Sequence, residues 1–142
     1  MSENRVPTPR EVAEEQLRRI DAAEFDTVAE LYAEDVRVET PFSRPRRVIE
    51  SRAQVADGFR AAAGQVRLSL KNQVLYTTDD PEVVVAEYDL RGEVLSTGRE
   101  FEGRNVLIYR VRDGLIVESH DYHDHVAVAE AMAAGEEKDD ER

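Results

Sequence analysis

The chain contains no cysteine and no tryptophan. Without cysteine there is no disulfide, no thiol nucleophile and no cysteine-based zinc site, and a reducing, cytoplasmic address is the expectation. Lysine is nearly absent too, represented by Lys71 and Lys138 alone, so almost all of the 19 basic residues are arginine. Basic residues are outnumbered by 31 acidic ones, for a net charge of −12. That balance excludes a nucleic-acid binder, which needs a basic face to displace counterions. It also disfavours attraction to anionic membranes. No apolar run approaches the roughly 20 residues of a membrane span. The polar opening MSENRVPTPR holds no signal-peptide core, so secretion is not indicated. No glycine-rich phosphate loop, serine elbow or dinucleotide fingerprint occurs, so no cofactor is expected. What remains is 142 residues, 41% of them hydrophobic, enough for one domain with a core and too few for two.

The charge is uneven. Residues 11–35 carry −7, residues 36–71 carry +5, residues 72–135 carry −8 and residues 136–142 carry −3. The basic middle block reads as a solvated face, with an anion site as the sharper alternative.

Thr8, Pro9 and Glu11 spell a helix start with a capping box, and Ala13, Leu17 and Ile20 follow at helical spacing. A short helix fits Asp26 to Glu34, and residues 36–39 fit a strand ended by Thr40 and Pro41. Residues 41–47 read as a loop rich in Pro and Arg. Ser51 with Gln54 caps a helix through Ala63. Four strands follow at 66–76, 83–95, 99–112 and 115–122, with turns at Asp79–Pro81, Ser96–Gly98 and Asp113–Gly114. A last helix fits 125–134. The segments 1–7 and 135–142 are expected to be disordered, leaving one domain over 8–134. Helices followed by a long meander make an α+β fold with an antiparallel sheet. A strongly curved sheet wrapped on helices leaves a cone, a shape that encloses apolar pockets for small ligands.

Three stretches carry a family resemblance. They are Glu24-Phe25-Asp26 through Leu31-Tyr32-Ala33-Glu34-Asp35-Val36 to Pro41, then Thr97-Gly98-Arg99-Glu100-Phe101, then Val111 to Ile116 followed by His120-Asp121-Tyr122-His123-Asp124. Together they resemble the SnoaL-like branch of the nuclear transport factor 2-like superfamily. Ketosteroid isomerase, limonene epoxide hydrolase, polyketide cyclases and phenazine-pathway proteins are its relatives. The resemblance covers roughly residues 8–134 and implies a cystatin-like α+β barrel: a cone-shaped sheet around N-terminal helices. It also implies a homodimer. It specifies the fold far better than the reaction, because this scaffold hosts many chemistries.

Carried over residue by residue, the catalytic Asp of ketosteroid isomerase falls on Thr40, and its two oxyanion-hole groups fall on Gln16 and Asn105. Steroid isomerisation by that mechanism therefore lacks its base. The two carboxylates of limonene epoxide hydrolase fall on Asp89 and Asp121, while their linking Arg falls on Glu87. The water-holding Tyr and Asn of that enzyme fall near Arg37 and Glu39. Cyclases and phenazine-pathway relatives also place an acid at Asp121, so several relatives agree on that position.

Strand alternation supplies an independent reading. Val117, Ser119 and Asp121 share one face of the last strand. Asn105, Leu107, Tyr109 and Val111 share a face of the strand before it, an apolar wall with one amide and one phenol. Val83, Val85, Glu87 and Asp89 share a face of an earlier strand. An aspartate inside a cone loses water and is shifted toward its neutral form, and a second carboxylate nearby would separate the pair into acid and base. Asp121 is the candidate acid/base, with Asp89 or His123 assisting and Asn105, Tyr109, Gln16 and Leu107 orienting a substrate. The blander alternatives are Asp89 facing solvent at a strand end, Asp121 paired with an arginine such as Arg110, and His123 holding a rim position usually aromatic. His120, His123 and His125 invite a metal reading, but their spacing matches no compact metal motif. Tyr32, Tyr88, Phe42, Phe59 and Phe101 read as core. The expected function is cofactor-independent acid–base catalysis on a hydrophobic polyketide- or terpenoid-like metabolite, by cyclisation, isomerisation or epoxide opening. The competing expectation is a non-catalytic ligand-binding or dimeric scaffold module.

Overall fold

The computed structural model describes residues 5–140. The first helix, α1 (Pro9–Asp21), opens with the capping box read from the sequence. The Glu11 amide donates to Thr8 Oγ1 at 3.1 Å, and the Thr8 amide donates to Glu11 Oε1 at 2.9 Å. Val12, Ala13, Leu17 and Ile20 form its buried stripe. A short α2 (Phe25–Val28) and a 3-10 turn (Ala29–Leu31) follow. The helix expected over Asp26–Glu34 therefore ends early, and β1 (Tyr32–Thr40) begins at Tyr32. Tyr32, Val36 and Val38 are buried along it, and that burial outweighs the local helical spacing. The loop expected over 41–47 closes onto a short β2 (Arg47–Ile49).

Ser51 caps α3 (Arg52–Gln65), accepting from the Gln54 amide at 3.2 Å. The meander β3 (Val66–Thr77), β4 (Val83–Val94), β5 (Glu100–Arg112) and β6 (Leu115–Tyr122) falls within a residue or two of the sequence reading. Asp113 and Gly114 both take positive φ, as a tight right-twisted hairpin requires. The last helix, α4 (His125–Asp140), runs past the end expected near 134. Of the termini expected to be disordered, 1–4 and 141–142 lie outside the described residues. Arg5 donates to both carboxylate oxygens of Glu11 at 2.7 and 2.9 Å.

The six strands form one sheet in the order β2-β1-β6-β5-β4-β3, so its ends do not meet. It is not antiparallel throughout: β1 runs parallel to β6, with Val38 beside Ser119 and Glu39 beside His120. A parallel neighbour needs a long crossover, which α3 and the meander supply. The concave face buries α1, α2 and α3. Leu17, Val28, Tyr109 and Ile116 are fully buried there, and Phe25 stacks on Phe59 with centroids 6.1 Å apart. A smaller cluster of Val94, Phe101 and Ala131 seats α4 against the far end of the sheet. No helix among the described residues is long and apolar enough to cross a membrane.

Gly92 is opposite Phe101 in the β4–β5 ladder, and a Cβ placed on it would come within 2.1 Å of the Phe101 ring. Phe101 is itself buried, so its ring has no free path out. Gly92→Ala is therefore expected to destabilise by about 1–3 kcal/mol through overpacking. Gly64→Ala in α3, where a Cβ meets nothing within 4 Å, is the control and is expected to gain about 0.5–1 kcal/mol. Thermal melts of the two variants should move in opposite directions.

Candidate active site

Between α1, α3, β1, β2 and β6 the packing leaves a cavity of about 370 Å³. This is ample for a two- or three-ring metabolite. Most of its wall is apolar, with Ile20, Val38, Ile49, Val55, Phe59 and Leu107 contributing. Space survives because α3 turns Gly58 and Ala62 toward it rather than large side chains. Gln16, Tyr32, Thr40, Arg47, Asp121 and His123 supply the polar points.

Asp121 reaches the cavity from β6. Its only hydrogen bond among the described residues comes from the Ser119 hydroxyl, two positions back on the same strand face. One side of the carboxyl faces the cavity and protein atoms crowd the others. This burial pushes the group up to about 6, against the opposing pull of the Ser119 hydroxyl and the His120 charge. Arg110 does not neutralise it. That guanidinium lies on the outer face, 3.0 Å from both Asp80 Oδ2 and Glu82 Oε1.

The strand register settles which other candidates join Asp121. Leu107 is directly opposite Asp121, Tyr109 is opposite Ser119, and Tyr88 is opposite Asn105. These residues share the concave face. On β4 that face belongs to the buried set Val84, Ala86 and Tyr88, so the alternate set turns outward. Asp89 is on the outward set, and the expected Asp89–Asp121 pair does not form. Asp89 instead accepts from Asn72 Nδ2 at 2.7 Å and from Arg104 Nη1 at 2.8 Å. Those two bonds, Asn72 first, hold its carboxyl below the usual range.

Gln16 and Leu107 line the cavity, while Asn105 and Tyr109 stand one layer behind it. Tyr109 donates its hydroxyl to Gln16 Oε1 at 2.7 Å, and Gln16 Nε2 donates to the Tyr32 hydroxyl at 3.0 Å. Each bond fixes the direction of the next. With its oxygen already accepting from Gln16, Tyr32 keeps its own proton, which has no acceptor among the described residues. That proton is available to an oxygen in the cavity. Burial first, and the Asp121 charge second, raise the Tyr32 phenol far above neutral pH, so the proton stays in place. Asn105 donates to the Tyr88 hydroxyl at 3.3 Å and accepts from the Asp124 amide at 3.4 Å, fixing the chain as it leaves β6.

His123 lines the cavity beside His125, their rings stacked with centroids 5.6 Å apart. Burial, then the neighbouring His125, lowers the His123 imidazole to about 4. It is neutral at pH 7 and offers a hydrogen bond rather than a charge. The Nε2 atoms of both rings are buried without a partner among the described residues. Sequence reasoning missed Tyr32, which was read as core, along with Thr40, Arg47 and His125 on the wall. Among the described residues no three His, Asp or Glu side chains converge to hold a metal ion.

The sequence profile of the SnoaL-like domain matches residues 13–119. YesE, an uncharacterised protein of Bacillus subtilis strain 168, is 31% identical over 107 residues, 72% of each chain. A solved structure of a candidate isomerase from Bacillus subtilis superimposes with a TM-score of 0.80 at 28% identity, covering 89% of this chain and 96% of that one. A candidate polyketide cyclase from Pseudomonas putida shares the fold at 17% identity with a TM-score of 0.77, covering 88% and 98% of the two chains. With the cavity, the half-open sheet and the profile in agreement, the chain belongs to the SnoaL-like domain family.

Proposed function

We infer that this protein is a cofactor-independent acid–base enzyme acting on a hydrophobic, carbonyl-bearing ring metabolite, by isomerisation or cyclisation. The observation that carries this reading is a carboxyl of raised proton affinity on the wall of an apolar cavity, tied to no arginine among the described residues. Ionised Asp121 takes a proton from the carbon beside a substrate carbonyl, and the electron pair moves onto the carbonyl oxygen to give an enolate. Tyr32 donates its free proton as a hydrogen bond to that oxygen, with Gln16 and Tyr109 holding its direction. Protonated Asp121 then returns the proton to a different carbon, which isomerises the substrate. Alternatively the enolate carbon attacks a second carbonyl, and Asp121 protonates the resulting alkoxide, which closes a ring. Epoxide opening is less supported, because it draws on a second cavity carboxylate and Asp89 stands outside. A scaffold module without chemistry needs neither an open cavity nor a carboxyl free of arginine. The open cavity and the outward pairing of Arg110 favour the enzyme.

The test needs no knowledge of the true product. Enolisable cyclic ketones incubated in heavy water should exchange their acidic C–H for deuterium faster with the protein than without, as read by mass spectrometry. Exchange that is equally fast with Asp121→Asn defeats the reading. Tyr32→Phe removes one donor to the developing oxyanion while keeping the ring in place. It is expected to slow exchange roughly 10- to 100-fold with the pH midpoint unmoved.

A further inference from the structure

The arginines are mostly accounted for. Among the described residues twelve have a carboxylate within 4.0 Å, Arg46 with Glu39 among them. Arg47, its neighbour in sequence, has none among the described residues. Arg37, Arg44 and Arg99 share that condition, and of the four Arg47 alone lines the cavity. Its side chain is exposed, and it stands where the cavity opens. β1 and β2 pair with Val38 opposite Ile49 and Thr40 opposite Arg47. Directly opposed residues share a face. Val38, Thr40 and Ile49 line the cavity, and Arg47 lines it with them.

The parallel pairing of β1 with β6 extends this row. Glu39 lies beside His120, so the next position brings Thr40 alongside Asp121. Three neighbouring strands thus present a carboxyl, a hydroxyl and a guanidinium across one wall. Strands lie about 4.8 Å apart, which separates the Asp121 and Arg47 backbones by about 10 Å. That is the span of a small ring system. Thr40 stands between them, and Val38 and Ile49 flank the row with apolar surface.

We propose that Arg47 is the specificity residue of this cavity, that it holds a carboxylate on the substrate, and that the substrate class is therefore a hydrophobic carboxylic acid. The reaction ascribed to such an acid rests on the base role of Asp121; the binding preference does not. A planar guanidinium matches a carboxylate through two parallel N–H donors. Among the described residues it is the one arginine or lysine on the cavity wall, so a single negative charge balances it where a phosphate dianion would not. Ionised Asp121 repels the same carboxylate, but attraction at about 4 Å outweighs repulsion at about 10 Å. The repulsion then serves orientation. It drives the acid end to Arg47 and leaves the carbon end of the ring system beside Asp121.

Titration calorimetry with naphthoate and its neutral amide, naphthamide, at neutral pH tests the assignment. The native protein should bind the acid at least about 10-fold more tightly than the amide. Arg47→Gln should weaken the acid roughly 10- to 100-fold and leave the amide within about two-fold. Arg47→Lys should recover part of the loss, since it restores the charge without the fork. Asp121→Asn should bind the acid at least as well as the native protein does. Because Arg47 is exposed, these variants should melt as the native protein does. Equal affinity for acid and amide, no binding of the acid, or an unchanged acid affinity in Arg47→Gln overturns the proposal. The two readings fail separately. Deuterium exchange lost from the scheme with the acid preference intact removes only the Asp121 role, and the reverse removes only Arg47.

Discussion

Asp121→Asn is expected to lose catalysed exchange and turnover by roughly a hundred- to ten-thousand-fold, the span that a positioned general base contributes. The asparagine keeps the shape, and its Oδ1 still accepts from Ser119 as the carboxylate does. What it lacks is a lone pair basic enough to hold a proton. A base works best with a pKa near the working pH, since a weaker one gives little driving force and a stronger one is already protonated. Burial places Asp121 at about 6, so most of it is ionised at pH 7 while its proton affinity is well above that of an exposed aspartate. The native rate should therefore fall tenfold per pH unit below about 6 and level off above it. His123, titrating near 4, adds no second break in the neutral range. A rate that stays flat from pH 5 to 8, or an Asn variant within a few-fold of native, would remove Asp121 from the chemistry.

The residues that the sequence placed correctly are those set by strand alternation and register-independent signals. The capping box of α1, the Ser51 cap of α3, the hairpin at Asp113–Gly114 and four long strands were legible because they are local. Asp121 was legible because Ser119 and Val117 fix its face on a strand with a clear partner. Asp89 was not, because β4 is apolar on both faces. Val83 and Val85 compete with Val84 and Ala86, and only the pairing of Tyr88 with Asn105 decides which set turns inward. Tyr32 was read as core, and it is buried, yet its hydroxyl finds Gln16 sixteen residues away and its edge reaches the cavity. Arg47 sat in a stretch rich in proline and arginine that read as loop. A three-residue strand is too short to announce itself, and its partner β1 was also read too short.

The pH dependence of stability should tilt in opposite directions when Asp121 or His123 is replaced. Folding raises the Asp121 carboxyl from 3.8 to about 6. Its stabilising contribution is fully present below 3.8 and is lost as pH rises through 6, because the unfolded chain ionises first. Folding lowers the His123 imidazole from 6.5 to about 4. Its contribution is present above 6.5 and is lost as pH falls through 4, because the unfolded chain protonates first. Each shift of two units or more corresponds to about 3 kcal/mol, so between pH 4 and 6 the two trends cancel. Asp121→Asn removes the falling trend and should gain about 3 kcal/mol over native protein at pH 8, with no gain at pH 3.5. His123→Phe removes the rising trend, so its stability relative to native protein should be greatest at low pH and decline toward pH 6.5. Urea unfolding of the three proteins at matched pH values reads these differences directly, and the surface carboxylates common to all three drop out of the comparison. Parallel curves for native protein and Asp121→Asn would mean that the carboxyl is solvated in solution, which also removes the basis for its raised proton affinity. A gain in stability together with a loss of turnover is the result expected of a charge held in an apolar cavity for chemistry rather than for folding.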